Sequence, residues 1–312
     1  MQSSSFKQYA RGQFGALHLR DAISKGRRAT LLEIANSFWG LDPNARRAAL
    51  NAAESTVVDV GDLSTLQDPL DFSEPPYGIV PQRGVIVRVG FSSDPAWNSF
   101  LESVLQTERD GIKELLNTAG AENQEQNDSG GESSSEEDTN LPEEGESSSQ
   151  RQAGPAPCSP PSETFIVIDP SDPTSPYHHL APRLQNATNI TLLRLFSDLD
   201  IIPTLPVPPQ QRIPARASSP LIDMDGLHEI YEGRTVWVYD EKSNQDGSVR
   251  LIVPRPTTYG LATGDSWRVR APFIWELQIN LSGGNMMIDF GGLDRYDAME
   301  RRRNLEETKL CV

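Results

Sequence analysis

Residues Asn117–Glu163 constrain the folding of this chain more than any other stretch, because they have almost nothing to bury. They contain no aromatic side chain and one large aliphatic, Leu141. The centre reads Asn-Asp-Ser-Gly-Gly-Glu-Ser-Ser-Ser-Glu-Glu-Asp, and the end contains Pro-Ala-Pro-Cys-Ser-Pro-Pro. Fixing one backbone residue costs roughly 1–2 kcal/mol of entropy, and a segment of this composition cannot recover that by apolar burial. Disorder is the expectation. Eleven acids stand here against one base, Arg151, so −10 of the −16 net charge is in this segment and −6 elsewhere. The acidity is mainly a property of a tether. The tether divides the chain into an N-terminal lobe, 1–116, and a C-terminal lobe, 164–312.

Both flanks have the means to fold. All five Trp and all ten Phe lie outside the tether. Neither Cys158, inside it, nor Cys311 is placed to staple a core, so no disulfide framework is expected. Cys311 does not sit in a prenylation box. Met1–Tyr9 is polar and no secretory apolar run follows it. There is no run of 18 apolar residues to cross a bilayer. The expected setting is the cytoplasm or nucleus, where the sequons at Asn186, Asn189 and Asn280 are chance matches.

The first 29 residues carry six bases against Asp21, a head able to attract the acidic tether or another polyanion. Leu31, Ile34, Ala35 and Phe38 then fall on one helical face, and Gly40 is a plausible stop. Asp42-Pro43 opens a second, Ala-rich helix to about Ser55. This pair has the outline of a helix-turn-helix over residues 27–50, in which Asn44, Arg46 and Arg47 would face DNA. Against that, the glycine falls one residue late and Trp39 occupies a turn position. A packed helical hairpin explains the same pattern.

Gly84–Phe91 is the clearest strand, and Asp94-Pro95 starts a helix. Its apolar face runs from Trp97 through Phe100, Val104 and Ile112 to Leu116, with a break expected near Gly111. Arg88, then Phe91-Ser-Ser-Asp-Pro-Ala-Trp-Asn-Ser-Phe-Leu101, resembles a recurrent segment of uncharacterised fungal intracellular proteins. The resemblance covers about residues 84–116 and lacks the usual second aromatic near the strand start. It implies an intracellular protein and no particular activity.

In the C-terminal lobe, Thr164–Asp169 reads as a buried strand, Ile190–Leu199 as a short apolar helix or strand, and Asp223–Glu232 as a helix. Pro203–Pro220 reads as an extended connector containing a P-x-x-P element. Thr235–Tyr239 and Ser248–Val253 flank a polar loop and read as a hairpin. Alternation puts Trp237 and Tyr239 on one face and Val236 and Val238 on the other. Ser266–Val269, Phe273–Leu281 and Asn285–Phe290 read as further strands, with Trp275 facing the core. A charged, largely solvated helix starts at Asp294, docked at most by Tyr296, Met299 and Leu305. The expected class is α+β: a helical N-terminal part with one strand–helix unit, and a mainly antiparallel β C-terminal part. If Val85–Phe91 pairs with Phe165–Ile168, both lobes share one sheet and the tether is an insertion.

No catalytic, cofactor or metal motif stands out. His178-His179 lacks further ligands at metal spacing. The acid pairs Asp198/Asp200 and Asp223/Asp225 lie outside any calcium-loop pattern. Ser266 is not in a nucleophile elbow, and no nucleotide-binding glycine loop occurs. The tether offers the best local chemistry. Ser129, Ser133, Ser134 and Ser135 each have an acid three residues on, as acidophilic kinases of the casein kinase 2 type require, and each phosphate would add about −1.5 to −2 charge. The sequence therefore reads as a non-enzymatic protein-interaction or scaffold module with a phosphorylatable acidic linker, without cofactor and away from membranes. Its protein partners are not identified by the sequence. The rival is a DNA-binding regulator that uses residues 27–50.

Overall fold

The computed structural model describes residues 4–16, 26–55, 68, 70, 82–127, 162, 164–203, 223–254, 266–286, 288 and 297–310. Three helices come first: α1 (Ser5–Ala16), α2 (Arg27–Trp39) and α3 (Pro43–Ser55). Strand β1 (Gly84–Arg88) leads into the long helix α4 (Asp94–Asn127) and then β2 (Phe165–Ile168). Short helix α5 (Ala181–Leu184) and α6 (Asn189–Phe196) precede β3 (Ser197–Pro203), β4 (Asp223–Met224) and β5 (Leu227–Gly233). Strands β6 (Val236–Tyr239), β7 (Ser248–Ile252) and β8 (Trp267–Arg270) follow, with a helical turn α7 (Ser243–Asp246) between the first two. Helices α8 (Ile274–Ser282) and α9 (Ala298–Leu310) come last.

The fold is α+β. One five-stranded sheet has the order β2-β1-β6-β7-β8, and a three-stranded sheet has the order β3-β5-β4. β1 pairs in parallel with β2 and β6, in the registers Val85↔Ile166 and Val85↔Val236. Pairings made within the C-terminal part are antiparallel. The sheet therefore spans residues from both sides of the acidic segment, and the shared-sheet alternative is the arrangement seen. A strand before the segment lies between two strands that come after it.

Alternation along these strands builds two cores. Val85, Val87, Val236 and Val238 face the side completed by α1, α2, α6 and the small sheet. Ile86, Phe165, Trp237, Tyr239, Val249 and Leu251 face the side covered by α4 and α8. The expected split of Trp237 and Tyr239 from Val236 and Val238 is what the two clusters contain. The β6–β7 hairpin forms as expected, closed by Gly247 at φ 66°.

Four expectations are corrected. First, α4 continues to Asn127, eleven residues into the stretch expected to be disordered. Ala119, Ala121, Glu122, Gln124 and Gln126 are good helix formers, and extending an existing helix avoids the nucleation cost. There is no break at Gly111. A Cβ there would come within 2.1 Å of the Trp275 ring, so glycine lets α8 pack on α4. Second, Asp223–Glu232 forms β4 and β5, joined at Asp225 (φ 53°) and Gly226 (φ 80°), an Asp-Gly hairpin turn. Third, Phe273–Leu281 is mostly helix α8. Its buried positions Ile274, Gln278 and Leu281 have helical spacing, and Trp275 is half-buried, not a core strand residue. Residues 285, 286 and 288 carry no strand, and the rest of the expected strand 285–290 lies outside the described residues. Fourth, Met299 is exposed while Glu300 and Asn304 are buried, so polar groups dock the last helix. Tyr296 and the side chain of Leu305 lie outside the description.

Ser129, Ser133, Ser134, Ser135, Cys158, Cys311 and the prolines of 206–220 also lie outside the described residues. Glu108 on α4 accepts from the Thr164 amide at 2.7 Å, which fixes where α4 crosses the start of β2. Asn127 lies 19 residues further along a helix rising 1.5 Å per residue, roughly 29 Å away. A linker of about ten extended residues can span that distance. Replacing 128–161 with a flexible Gly/Ser linker of about 15 residues should leave the melting temperature within a few degrees, since loop closure depends weakly on length. Thermal denaturation of that variant checks it, and loss of cooperative unfolding would show that the replaced residues belong to the fold.

Candidate functional site

A cleft of about 620 Å³ runs between α2 and α6. The inner face of α2 buries Leu31, Ile34, Ala35, Phe38 and Trp39. That leaves Ala29, Leu32, Glu33 and Asn36, one turn apart in pairs, to line the cleft from one side. Thr191, Arg194 and Leu195 of α6 line the other. Arg183 of α5 and Glu307 of α9 stand at its rim.

Its floor is a fixed ion pair. Arg194, 6% exposed, donates from Nε and Nη2 to the two oxygens of Glu229 at 3.0 and 2.5 Å, and from Nη1 to Asn36 at 3.2 Å. Glu229 also accepts from Trp39 Nε1 and the Tyr231 hydroxyl, both at 2.6 Å. Burial, reinforced by the Glu229 carboxylate, pushes the Tyr231 phenol well above its ordinary range, so it stays a donor. The guanidinium is thereby neutralised and oriented. At the rim, Glu307 accepts from the hydroxyls of Thr188 and Thr191.

The N-terminus of α6 is closed by α9. Glu300 accepts from the Asn189 amide at 3.0 Å and Asn304 from the Ile190 amide at 3.1 Å, where the helix dipole favours acceptors. Glu300 also meets Arg250, fully buried on β7, which donates to Asn189 Oδ1 at 2.6 Å and stands 3.1 Å from the Asp240 carboxylate as an ion pair. Asn189 is inside this network, so that sequon is not accessible in the fold.

Asp240 and Asp297 share Arg268. Burial alone would raise both carboxyls. Hydrogen bonds and charge from Arg268, with Arg250 helping at Asp240, outweigh it and hold both below the ordinary carboxylate range. A folded-state value below the unfolded one of about 3.9 gives stability that is whole above about pH 4 and lost as pH falls through the folded value. Asp200 has the opposite sign: burial raises it despite Ser4 and Lys7, so its ionisation costs stability as pH rises through its folded value. Asp240→Asn should therefore lower the melting temperature at pH 7 and flatten its fall below about pH 4. A melting series from pH 7 to 2.5 measures both, and an unchanged acid limb would refute the assignment.

A second place where ligands settle in open sheets is beyond the carboxyl ends of parallel strands. Here the protein fills it. Arg88, 1% exposed, donates to Asp94 at 2.6 Å, Asp169 at 3.2 Å, Ser171 at 2.8 Å and the Gly90 carbonyl at 3.1 Å. A Cβ on Gly90 would come within 2.5 Å of the Asp240 backbone, so β1 and β6 close together there.

The residues singled out from the sequence fall in separate places. Arg46 is 4% exposed, lies 5.4 Å over the Trp39 ring and pairs with Asp225 at 2.9 Å. Asn44 and Arg47 are exposed on α3. Much of the basic head is used internally: Arg27 and Arg28 meet Asp198, and Lys7 meets Asp200. His178 and His179 bond the carbonyls of Pro170 and Pro176 at 3.0 Å. Ser266 is buried. Among the described residues no group of three metal-ligating side chains converges, and no helix is long and apolar enough to cross a membrane. The Arg194–Glu229 pair had no local signal, because its partners are 35 residues apart on a helix and a strand whose pairing sequence periodicity does not reveal. Comparison with protein-family models, curated proteins and solved structures found no match for this chain.

Proposed function

We propose that this chain is a non-enzymatic protein-interaction module that seats a segment of a partner protein in the α2–α6 cleft, with its acidic linker as a phosphorylatable element. The observation that carries this reading is the make-up of the cleft. Ala29, Leu32 and Leu195 supply an apolar strip, and Glu33, Arg183 and Glu307 supply charges of both signs around it. Arg194 beneath is already neutralised by Glu229, so it favours packing over attack on a substrate. A groove between two helices with an apolar strip and charged margins suits an amphipathic segment. The volume lies within the range of ordinary recognition sites, about 300–1,000 Å³. The DNA-binding alternative draws no support from Arg46, whose charge is spent on Asp225 and Trp39.

The experiment compares proteins captured from an extract of the source cells by the wild-type chain and by Leu32→Arg, with equal melting temperatures as the control. Loss of specific partners in the variant is expected, and an identical captured set would sink the cleft reading. A casein kinase 2-type enzyme should phosphorylate the wild-type chain and not the Ser129/Ser133/Ser134/Ser135→Ala variant. Equal labelling of both would remove the linker from the proposal.

A further inference from the structure

Helix α9 is held to the body in an unusual way. Asp297, which caps it, and Glu300, Asn304 and Glu307 fall at intervals of three, four and three residues, so they form one stripe. That stripe is the docking face. Asp297 meets Arg268 at 2.9 Å, Glu300 meets Arg250 and the Asn189 amide, Asn304 accepts from the Ile190 amide, and Glu307 accepts from Thr188 and Thr191. Arg303 adds a bond to the Asn186 carbonyl. Among the described side chains of the helix the only large hydrophobic, Met299, is 66% exposed and points away.

We infer that α9 is a separable latch, docked by carboxylates and an amide, which leaves the body as a unit while the two sheets stay folded. Apolar burial gives a docked helix a gain with no competing desolvation. Carboxylates and guanidinium groups taken out of water repay their desolvation only in part, so such docking lies near balance. Once released, a 13-residue helix is marginal in water and its amides exchange. Release also lets water reach Arg250 and Arg268, whose charges are then solvated. Because Glu307 forms part of the cleft rim and Glu300 closes the N-terminus of α6, release opens one side of the cleft. The latch itself does not depend on what the cleft binds.

The charged and titratable groups facing the stripe are Arg250 and Arg268 from β7 and β8, and Asp240 and Lys242 after β6. Glu33 of α2, Arg183 of α5 and Arg194 of α6 line the cleft together with Glu307, and Arg303 lies on α9 itself. Opposite charges dominate across the contact, so added salt should favour release.

Hydrogen exchange on the full chain at pH 7, read by mass spectrometry at 0.05 and 1 M KCl, tests the inference. Amides of 301–304, inside the helix and away from its frayed end, should be protected at least about ten-fold less than those of β1 and β6. Their exchange should rise with salt while that of β1 and β6 stays constant. Asp297→Asn should produce the same selective loss at low salt. Protection of 301–304 equal to that of β6, or loss of both together under salt or in the variant, would overturn the latch. Fast exchange confined to 308–310 would also overturn it, as simple fraying.

Discussion

Glu229→Ala is expected to destabilise the protein by about 3–5 kcal/mol, the range for removing one partner of a buried ion pair. Glu229 is 2% exposed and takes four hydrogen bonds, from Trp39, Tyr231 and twice from Arg194. Without it, a guanidinium that is 94% buried has no counter-charge, and two further buried donors lose their acceptor. Three elements come apart at one residue: α2 through Trp39, α6 through Arg194 and β5 through Glu229 and Tyr231. Chemical denaturation measures the loss. A second variant, Glu229→Leu with Arg194→Met, separates charge from shape, since replacing both partners by apolar groups should recover most of the stability. A Glu229→Ala loss below about 1 kcal/mol would mean that water already reaches Arg194.

Trp237→Ala should cost about 3–5 kcal/mol, by the size of large aromatic deletions in cores. Its ring is fully buried on β6. Its indole N–H donates to Gln278 Oε1 at 2.8 Å, and Gln278 in turn donates to the Gln82 carbonyl at 2.9 Å. The indole therefore ties the sheet to α8 as well as filling space, and its loss strands a buried amide. Trp275→Ala should cost less, because Trp275 is half-buried against Gly111 at the margin of the core. Equal losses for the two tryptophans, measured by thermal and urea denaturation, would contradict this ranking.

The contrast between these tryptophans marks what could be read in advance. Val236-Trp-Val-Tyr239 is β-branched and aromatic throughout, so its period of two admits one reading, and both faces found cores. Phe273–Leu281 admits two readings. Phe273, Trp275, Leu277 and Ile279 alternate, while Ile274, Leu277, Gln278 and Leu281 repeat at helical spacing. In the helix Gln278, polar by sequence, is buried with Trp237 and the Gln82 carbonyl as partners. Asp225-Gly226 was a hairpin signal in plain view, outweighed by an apolar pattern that fits a short helix equally well.

The acidic net charge, strand β1 with the helix start at Asp94, the two helices on either side of Gly40 and the α+β class were determined by the sequence alone, because composition, capping residues and periodicity act locally. The tertiary structure alone decided that β1 sits between β2 and β6. It also decided that Arg46 is spent on Trp39 and Asp225, and that the last helix docks through carboxylates. The first depends on which apolar strands pair, and the other two on which buried charge finds its opposite across the fold, over separations where local pattern carries no information. A buried guanidinium and a solvated one are written with the same letter, and only the packed neighbours distinguish them.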